Sequence, residues 1–354
     1  MKSKSTILLA LLSFTFVTAK AAKPSGSGGG VPPPPANPKI SVLYKDITKG
    51  DRIVLMNADG TNATTVVSDG GLANVDLSPT KNELVFTVST RVSGQRWVDE
   101  LKLLRYSYDQ TGIHAEQPLL LQKIYDSDVY RTDISPDGKY VVYWTVNYSG
   151  TNPLGTLHLR SLTPYDPSTD DDKVIYDGPM LRPGGAVWLS ASSGYKLALH
   201  LPDPASPGDS QILIAPINPL AANADDVMDV NAFERVLSTV GKGITVGAYF
   251  ESARTSPSLI LQATYRNETL RTKPTTLYAT RPIIWNVETD YLRALVIAPQ
   301  EERNYVGPKP SPDDSKLLVR TLNGIVMFDL NSQTSVPFSD GTATDWKPNP
   351  PPAN

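Results

Sequence analysis

Five residues recur at one place in a repeated pattern, which makes them candidates for a shared role. They are Asp76, Asp133, Trp188, Lys309 and Asp345. Each lies three residues before a proline, or before the residue that replaces it, in copies of a Ser-Pro turn. Carboxylates gathered around one channel would form a mouth for a cation, a basic peptide or a sugar. The alternative is that each aspartate bonds the backbone of the neighbouring repeat. We predict that these five residues form a ligand- or partner-binding site, with the structural alternative open.

Other side chains that carry chemistry are scarce. The chain has no cysteine, which excludes disulfides, thiolate metal sites and a cysteine nucleophile. His114, His158 and His200 are isolated in the sequence, and the last two follow strand patterns that favour packed or solvent-facing residues. The acidic groups at 170–172 and 225–229 lack the spaced order of a calcium loop. We therefore assign no catalytic residue and no metal ligand; Ca²⁺ in a central channel is the one cofactor considered, and a non-enzymatic role is favoured.

The overall charge excludes one class of partner. The 33 Lys and Arg residues against 36 Asp and Glu give a net charge of −3, and the isoelectric point is about 5.7. A nucleic-acid surface needs a basic face. We expect no nucleic-acid partner.

The first residues are typical of an export signal. Lys2 and Lys4 precede an apolar run over residues 7–17, which is too short to span a bilayer. Ala19 and Ala21 then supply the small residues of a cleavage site. The pattern predicts a signal peptide over residues 1–21, a periplasmic or secreted mature protein, and no membrane span.

Two terminal segments are unsuited to a packed core. Residues 22–39 are rich in Gly, Ser and Pro, which favours a flexible or polyproline segment. Residues 349–354 form a second Pro-rich tail. The fold is therefore expected within residues 40–348.

Repeats indicate how that fold is built. The runs NVDLSPTKNELVF, TDISPDGKYVVY and KPSPDDSKLLVR each combine Ser-Pro, a polar turn and a β-rich apolar segment. Pro79 and Pro136 are 57 residues apart, and Ala191 follows 55 residues later in a degraded copy. Pro312 comes 121 residues after that, about two further units, and the register of the copy between them stays open.

Units of this length with about four strands each are typical of propeller blades. The 309 residues from Ile40 to Pro348 accommodate about six of them. The last copy, which begins at Asp345, has no chain left for a blade, while the first strands lack an innermost partner. We predict an all-β, six-bladed β-propeller that closes by pairing the C-terminal strand with the N-terminal strands.

The repeat resembles that of TolB-type six-bladed propellers. The likeness rests on Ser-Pro-Asp-Gly at residues 135–138 and on the run IVLMNADGTN at residues 53–62. It implies a periplasmic, non-enzymatic protein that engages envelope partners. The predicted propeller starts almost directly after the Gly- and Pro-rich segment, so we expect no α/β domain of the TolB type before it. A fold of this kind hosts many activities.

The function expected from the sequence is an exported, TolB-like scaffold that binds an envelope or extracellular protein. Two alternatives stay open. One is a carbohydrate-active or lactonase-like propeller enzyme with a cation in the central channel, and the other is a secreted glycan-binding module.

Overall fold

The computed structural model describes most of the chain between residues 40 and 339. The described ranges are 40–46, 50–56, 63–92, 96–109, 111–147, 154–166, 168, 171–179, 185–189, 194–202, 210–229, 232–233, 235–238, 244–266, 278–294, 306–311, 313–321 and 324–339. The predicted signal peptide (1–21), the segment 22–39, Asp345 and the tail 349–354 lie outside the described residues.

The described chain is built from antiparallel sheets that follow one another in sequence. The N-terminal sheet contains three strands: β1 (Ile40–Asp46), β2 (Gly50–Met56) and β3 (Thr64–Ser68). Five larger sheets follow, and we call them blades I to V.

Blade I contains β4 (Leu72–Leu77), β5 (Glu83–Val92), β6 (Arg96–Asp109), β7 (Gly112–Ala115) and β8 (Leu119–Tyr125). Blade II contains β9 (Asp128–Ile134), β10 (Tyr140–Asn147), β11 (Leu154–Ser161) and β12 (Lys173–Pro179). Blade III contains β13 (Gly185–Trp188), β14 (Lys196–Pro202), β15 (Ser210–Pro216) and β16 (Arg235–Ser238). Blade IV contains β17 (Ile244–Ser252), β18 (Ser258–Arg266), β19 (Tyr278–Asn286) and β20 (Tyr291–Ala294). Blade V contains β21 (Val306–Pro310), β22 (Lys316–Thr321), β23 (Gly324–Asp329) and β24 (Thr334–Ser339).

Hydrophobic cores lie between neighbouring sheets, and strand β10 shows why. Side chains alternate across a strand, so the two faces of β10 serve two different cores. Val142 and Trp144 pack with residues of blade III. Val141 and Tyr143 pack with residues of blade I. Blade II is thus apolar on both faces and is sandwiched by its neighbours.

The first strands of the blades follow one another around an axis. Strand β4 contacts β9, β9 contacts β13, β13 contacts β17, and β17 contacts β21. This order makes the chain a β-propeller with the first strand of each blade innermost.

The predicted number of blades is corrected by the structure. Five blades are present rather than six, because the N-terminal sheet has three strands and the segment expected to complete it, residues 345–348, lies outside the described residues. Closure of the ring by that segment stays a prediction.

The turns that follow the inner strands have the chemistry expected of Ser-Pro-Asp-Gly. In blade II the Ser135 amide donates to the Tyr140 carbonyl, and the Ser135 hydroxyl accepts from the Tyr140 amide at 3.0 Å. Gly138 has a φ of +68°, and a Cβ there would lie 2.5 Å from the Thr80 hydroxyl of blade I. The glycine is therefore needed both for its backbone angle and for the close approach of two blades.

The matching turn of blade V uses a different residue at the same point. Asp314 has a φ of +55°, three residues after Ser311, as Gly138 is three residues after Ser135. Its carboxylate accepts from the amides of Arg254 and Thr255 in blade IV, both at 2.7 Å. The aspartate thus accepts a strained backbone angle and joins two blades.

A third contact between turns joins blades II and III. The Tyr195 hydroxyl donates to Asp137 at 2.6 Å. This hydrogen bond, with burial, raises the pKa of Tyr195 to about 12. Burial works to raise the pKa of Asp137, but the hydrogen bonds from Tyr195 and Ser135 outweigh it and lower that pKa overall.

Helix is limited to one short element in the part of the chain that the structure describes, a 3₁₀ turn over Ala224–Asp226. No helix among those residues has the length and apolar character to cross a membrane.

Candidate functional site

The register of the blades determines which residues are equivalent around the axis. In each blade, one residue of the inner strand forms the equivalent pair with a residue of the second strand. These pairs are Asp76 with Val85, Asp133 with Val142, Val187 with Ala198, Glu251 with Ile260, and Lys309 with Leu318. We call Asp76, Asp133, Val187, Glu251 and Lys309 the ring positions.

Three of the residues predicted from the sequence are ring positions, and one is displaced. Asp76, Asp133 and Lys309 lie where the repeat predicted. Trp188 lies one residue further along, because it pairs with Leu197 as Ile134 pairs with Val141. Asp345 lies outside the described residues.

Glu251 is the ring residue that the sequence reasoning missed. The blade IV turn has Ala253 where blade II has Ser135, since the Ala253 amide donates to the Ser258 carbonyl. The Ser-Pro at residues 256–257 lies later in the turn and conceals the register. The signal that would have found it is spacing, because Glu251 precedes Lys309 by 58 residues, close to the repeat length.

In blades I and II the ring carboxylates bond the backbone of the next blade. Asp76, which is 2% exposed, accepts from the Ile134 amide at 2.5 Å. Asp133, 6% exposed, accepts from the Trp188 amide at 2.6 Å. The Trp188 indole also donates to the Asp133 carbonyl at 3.1 Å. We call these contacts the amide braces; they are the arrangement that the structural alternative predicted.

In blades IV and V the ring residues form an ion cluster instead. Glu251 Oε1 accepts from Lys309 Nζ at 2.5 Å and from Arg131 Nη2 at 2.6 Å. The same Arg131 nitrogen donates to the Phe250 carbonyl, and the guanidinium lies 5.3 Å from the centre of the Phe250 ring. We call Arg131, Glu251 and Lys309 the axial cluster.

The axial cluster joins blades that are not neighbours. Arg131 belongs to β9 of blade II and Glu251 to β17 of blade IV, with β13 of blade III between them in the order of contacts. Arg131 lies two residues before Asp133, and the residue two before Val187 is Gly185. At the position equivalent to Arg131, blade III therefore has a glycine, which leaves room for the arginine side chain to extend towards blade IV.

The cluster is mostly shielded from water. The side chains of Arg131, Glu251 and Lys309 are 14%, 6% and 15% exposed. Burial works to raise the pKa of Glu251, but the charges of Lys309 and Arg131 and the hydrogen bond from Lys309 outweigh it and hold that pKa below its usual value. The Glu251 carboxylate is therefore ionised at neutral pH.

A second polar cluster lies in blade II, away from the ring. Asp172 accepts from the Tyr143 hydroxyl at 2.6 Å, and its other oxygen lies 2.7 Å from His158 Nδ1. The Thr145 hydroxyl lies 3.0 Å from His158 Nε2. The order of carboxylate, imidazole and hydroxyl is that of a hydrolase triad. Thr145, however, is buried within a central strand, where a substrate has no approach, so we assign the cluster a structural role.

The same parts of the chain provide no assembled metal centre. Among the residues that the structure describes, no three His, Asp or Glu side chains come close enough to hold a metal ion together.

No known protein-family profile matches this chain, and no curated protein matches its sequence. Similarity is found among solved structures. One is an oligogalacturonate lyase in complex with manganese, with 12% identity, a TM-score of 0.48, and coverage of 85% of this chain and 77% of that one. Another is the β-propeller domain of the Trilobed protease from Pyrococcus furiosus, with 11% identity, a TM-score of 0.41, and coverage of 73% and 69%. A third is the tricorn protease, with 10% identity, a TM-score of 0.44, and coverage of 87% and 34%. At these identities the likeness concerns the fold alone and says nothing about activity.

Proposed function

We propose that this chain is an exported β-propeller that serves as a non-enzymatic protein-binding scaffold in the cell envelope. The observation that carries the proposal is how the ring carboxylates are used. Asp76 and Asp133 are buried and bond the backbone of the next blade. These two side chains join neighbouring blades. We therefore place the partner-binding surface at the outer edge of the blades.

The outer edge of blades II and III offers a surface suited to that role. Lys173 of β12 donates to the carbonyl of Ala221 at 2.6 Å and to that of Pro219 at 3.4 Å, and these residues flank Leu220. Leu220 is 81% exposed, and Val174, next to Lys173, is 44% exposed. We call Val174 and Leu220 the rim patch. A large exposed apolar side chain such as that of Leu220 can act as an anchor for a protein partner.

Site-specific crosslinking tests the rim patch. A photoreactive amino acid at position 220 should capture one reproducible envelope protein in cells, while the same probe at exposed Glu116 of blade I should not. Leu220→Asp should abolish co-purification of that protein without unfolding the propeller. Equal products at both positions, or none at position 220, would contradict the proposal.

The envelope location and the TolB-like role are part of the same proposal. They are supported by the apolar run over residues 7–17 and by the Ser-Pro-Asp-Gly repeat. Fractionation of cells and mass spectrometry of the product test them. The expected product begins after Ala21 and is found outside the cytoplasm; an uncut chain in the cytoplasm would refute export.

The alternatives with a cation in the channel have their own test. Ca²⁺ that binds a preformed site should raise the melting temperature of the mature protein. Asp76→Asn and Asp133→Asn should abolish that rise if the ring carboxylates hold the ion. A Ca²⁺-dependent rise that these variants lack would favour the enzyme or glycan-binding alternatives over the scaffold.

A further inference from the structure

Strand β11 of blade II contains a buried cation, Arg160, which is 1% exposed. Arg160 pairs with Val141 of β10, so its side chain lies on the face of blade II that packs against blade I. Two of its three guanidinium nitrogens, Nε and Nη2, are out of reach of water and have no hydrogen-bond partner among the residues that the structure describes. The charge of Arg160 is therefore buried with donors that are not satisfied.

The group that covers this guanidinium is the ring of Tyr165. The centre of that ring lies 5.8 Å from Arg160 Cζ. A cation near an aromatic face is attracted to the ring, but this attraction does not replace the hydrogen bonds that water would give the guanidinium. Entry of water would therefore stabilise Arg160.

Tyr165 belongs to a short segment, residues 163–166, which follows β11 and which we call the strap. The Tyr165 amide donates to the Leu120 carbonyl of β8 in blade I at 2.9 Å. Tyr165 is 40% exposed, so part of its surface faces solvent. Among the described residues, Tyr165 is held by this hydrogen bond and by its contact with Arg160.

The start of the strap is held more firmly than Tyr165. Leu162, which precedes the strap, is 8% exposed, and its amide donates to the Lys139 carbonyl at 2.8 Å. The Thr163 hydroxyl donates to Asp171 at 3.0 Å. Tyr165 can therefore move about a fixed point without disturbing the strands of blade II.

We propose that the strap is a lid, which opens and closes over Arg160 in the folded protein. In the closed form the Tyr165 ring shields the guanidinium, and in the open form water solvates it. The unsatisfied donors of Arg160 favour opening, whereas the ring contact and the hydrogen bond to Leu120 favour closing. The inference does not depend on the proposed scaffold function.

Chemical modification of arginine in the folded wild-type protein tests the lid. Phenylglyoxal reacts with accessible guanidinium groups, and peptide mapping locates the modified residues. Arg91 of β5, which is exposed, gives the rate for an open site. Arg160 should be modified while the protein stays folded, at a rate that low urea concentrations leave unchanged. Modification of Arg160 only at the rate of global unfolding would overturn the proposal.

Tyr165→Ala tests whether the tyrosine ring is the cover. The variant should be modified at Arg160 about tenfold faster than the wild type, because the ring contact is lost. Tyr291→Ala is the matched control, since Tyr291 is an exposed tyrosine of blade IV, and it should leave the rate unchanged. Equal rates in Tyr165→Ala and the wild type would show that the ring does not shield Arg160, and the lid would be rejected.

Arg160→Met tests the cause of opening. Methionine fills the apolar site without a charge, so the closed form no longer contains an unsatisfied cation. Hydrogen–deuterium exchange of a peptide that contains the Tyr165 amide should slow at least about tenfold. Unchanged or faster exchange in the folded variant would contradict the proposal. The modification of wild-type Arg160 needs no substitution, so it tests the lid even if this variant folds poorly.

Discussion

The two halves of the ring fill the same position with different chemistry. In blades I and II, Asp76 and Asp133 bond a main-chain amide of the next blade. In blades IV and V, Glu251 and Lys309 bond each other, and Arg131 joins them from blade II. One half is held by short carboxylates and backbone, and the other by longer charged side chains.

The ring residues of the two halves differ in side-chain length and, at Lys309, in charge. An aspartate on an inner strand reaches the adjacent backbone and satisfies an amide that would otherwise be buried without a partner. Glutamate is one methylene longer, and it meets the ends of Arg131 and Lys309 instead. The same repeated position therefore bonds backbone amides in blades I and II and forms ion pairs in blades IV and V.

The largest expected effect comes from Glu251→Leu. Removing the carboxylate leaves Arg131 and Lys309 buried without their shared anion, which should lower the free energy of unfolding by about 3–5 kcal/mol. Urea unfolding followed by tryptophan fluorescence measures the change. A loss below about 1 kcal/mol would show that water already screens the cluster as it screens surface pairs.

Asp133→Ala tests the amide braces and should have a smaller effect. The Trp188 amide would be left buried without its acceptor, at a cost of about 1–3 kcal/mol in unfolding free energy. Asp133→Asn is the matched control, because its carbonyl oxygen still accepts and should restore part of the loss. If both variants unfold like the wild type, the brace contributes nothing to stability.

An exchange of turn residues gives the next effect. Gly138→Asp places a side chain at a φ of +68° and against Thr80, which should cost about 1–3 kcal/mol. Asp314→Gly removes the strain of a positive φ but also removes the hydrogen bonds from the Arg254 and Thr255 amides. The gain and the loss should partly cancel in the free energy of unfolding. Thermal unfolding compares the two. A larger loss for Asp314→Gly would mean that its bonds outweigh the glycine requirement of blade II.

The smallest expected effect is a pH dependence of the free energy of unfolding that arises from Asp313 in the blade V turn. Hydrogen bonds from Ser311 and Ser315 lower the pKa of Asp313 from 3.8 to about 2. Because the folded state has the lower pKa, this stabilisation is present above pH 3.8 and is lost as the pH falls through about 2. Asp313→Asn should flatten the stability curve in that interval, measured by urea unfolding at several pH values. An unchanged slope would show that Asp313 has the same pKa in the folded and unfolded states.

The sequence was sufficient for the repeating parts of the molecule and insufficient where copies diverge. Ser-Pro with a glycine or aspartate predicted the turns of blades II and V, and alternation predicted the strands. Blade III lost its proline and Trp188 was displaced by one residue. Blade IV has Arg254 where blade I has Pro79, which hid Glu251.

The residues that bond the ring positions could not be identified from local sequence, because the bonded residues are far apart in the chain. Arg131 and Glu251 are 120 residues apart and on different blades. His158 and Asp172 belong to one blade but meet because a strand returns beside its neighbour. The repeat therefore pointed to Lys309 and, through its spacing, to Glu251, but it gave no signal for Arg131 or for the pair of His158 and Asp172.

The reach of Arg131 past blade III has a consequence for how the protein comes apart. An array held only by contacts between successive units can lose its units one at a time. A bond from blade II to blade IV closes a loop that contains blade III, so blade III gains less conformational entropy on unfolding while Arg131 holds Glu251. We therefore expect the amides of blades II, III and IV to exchange together rather than in sequence.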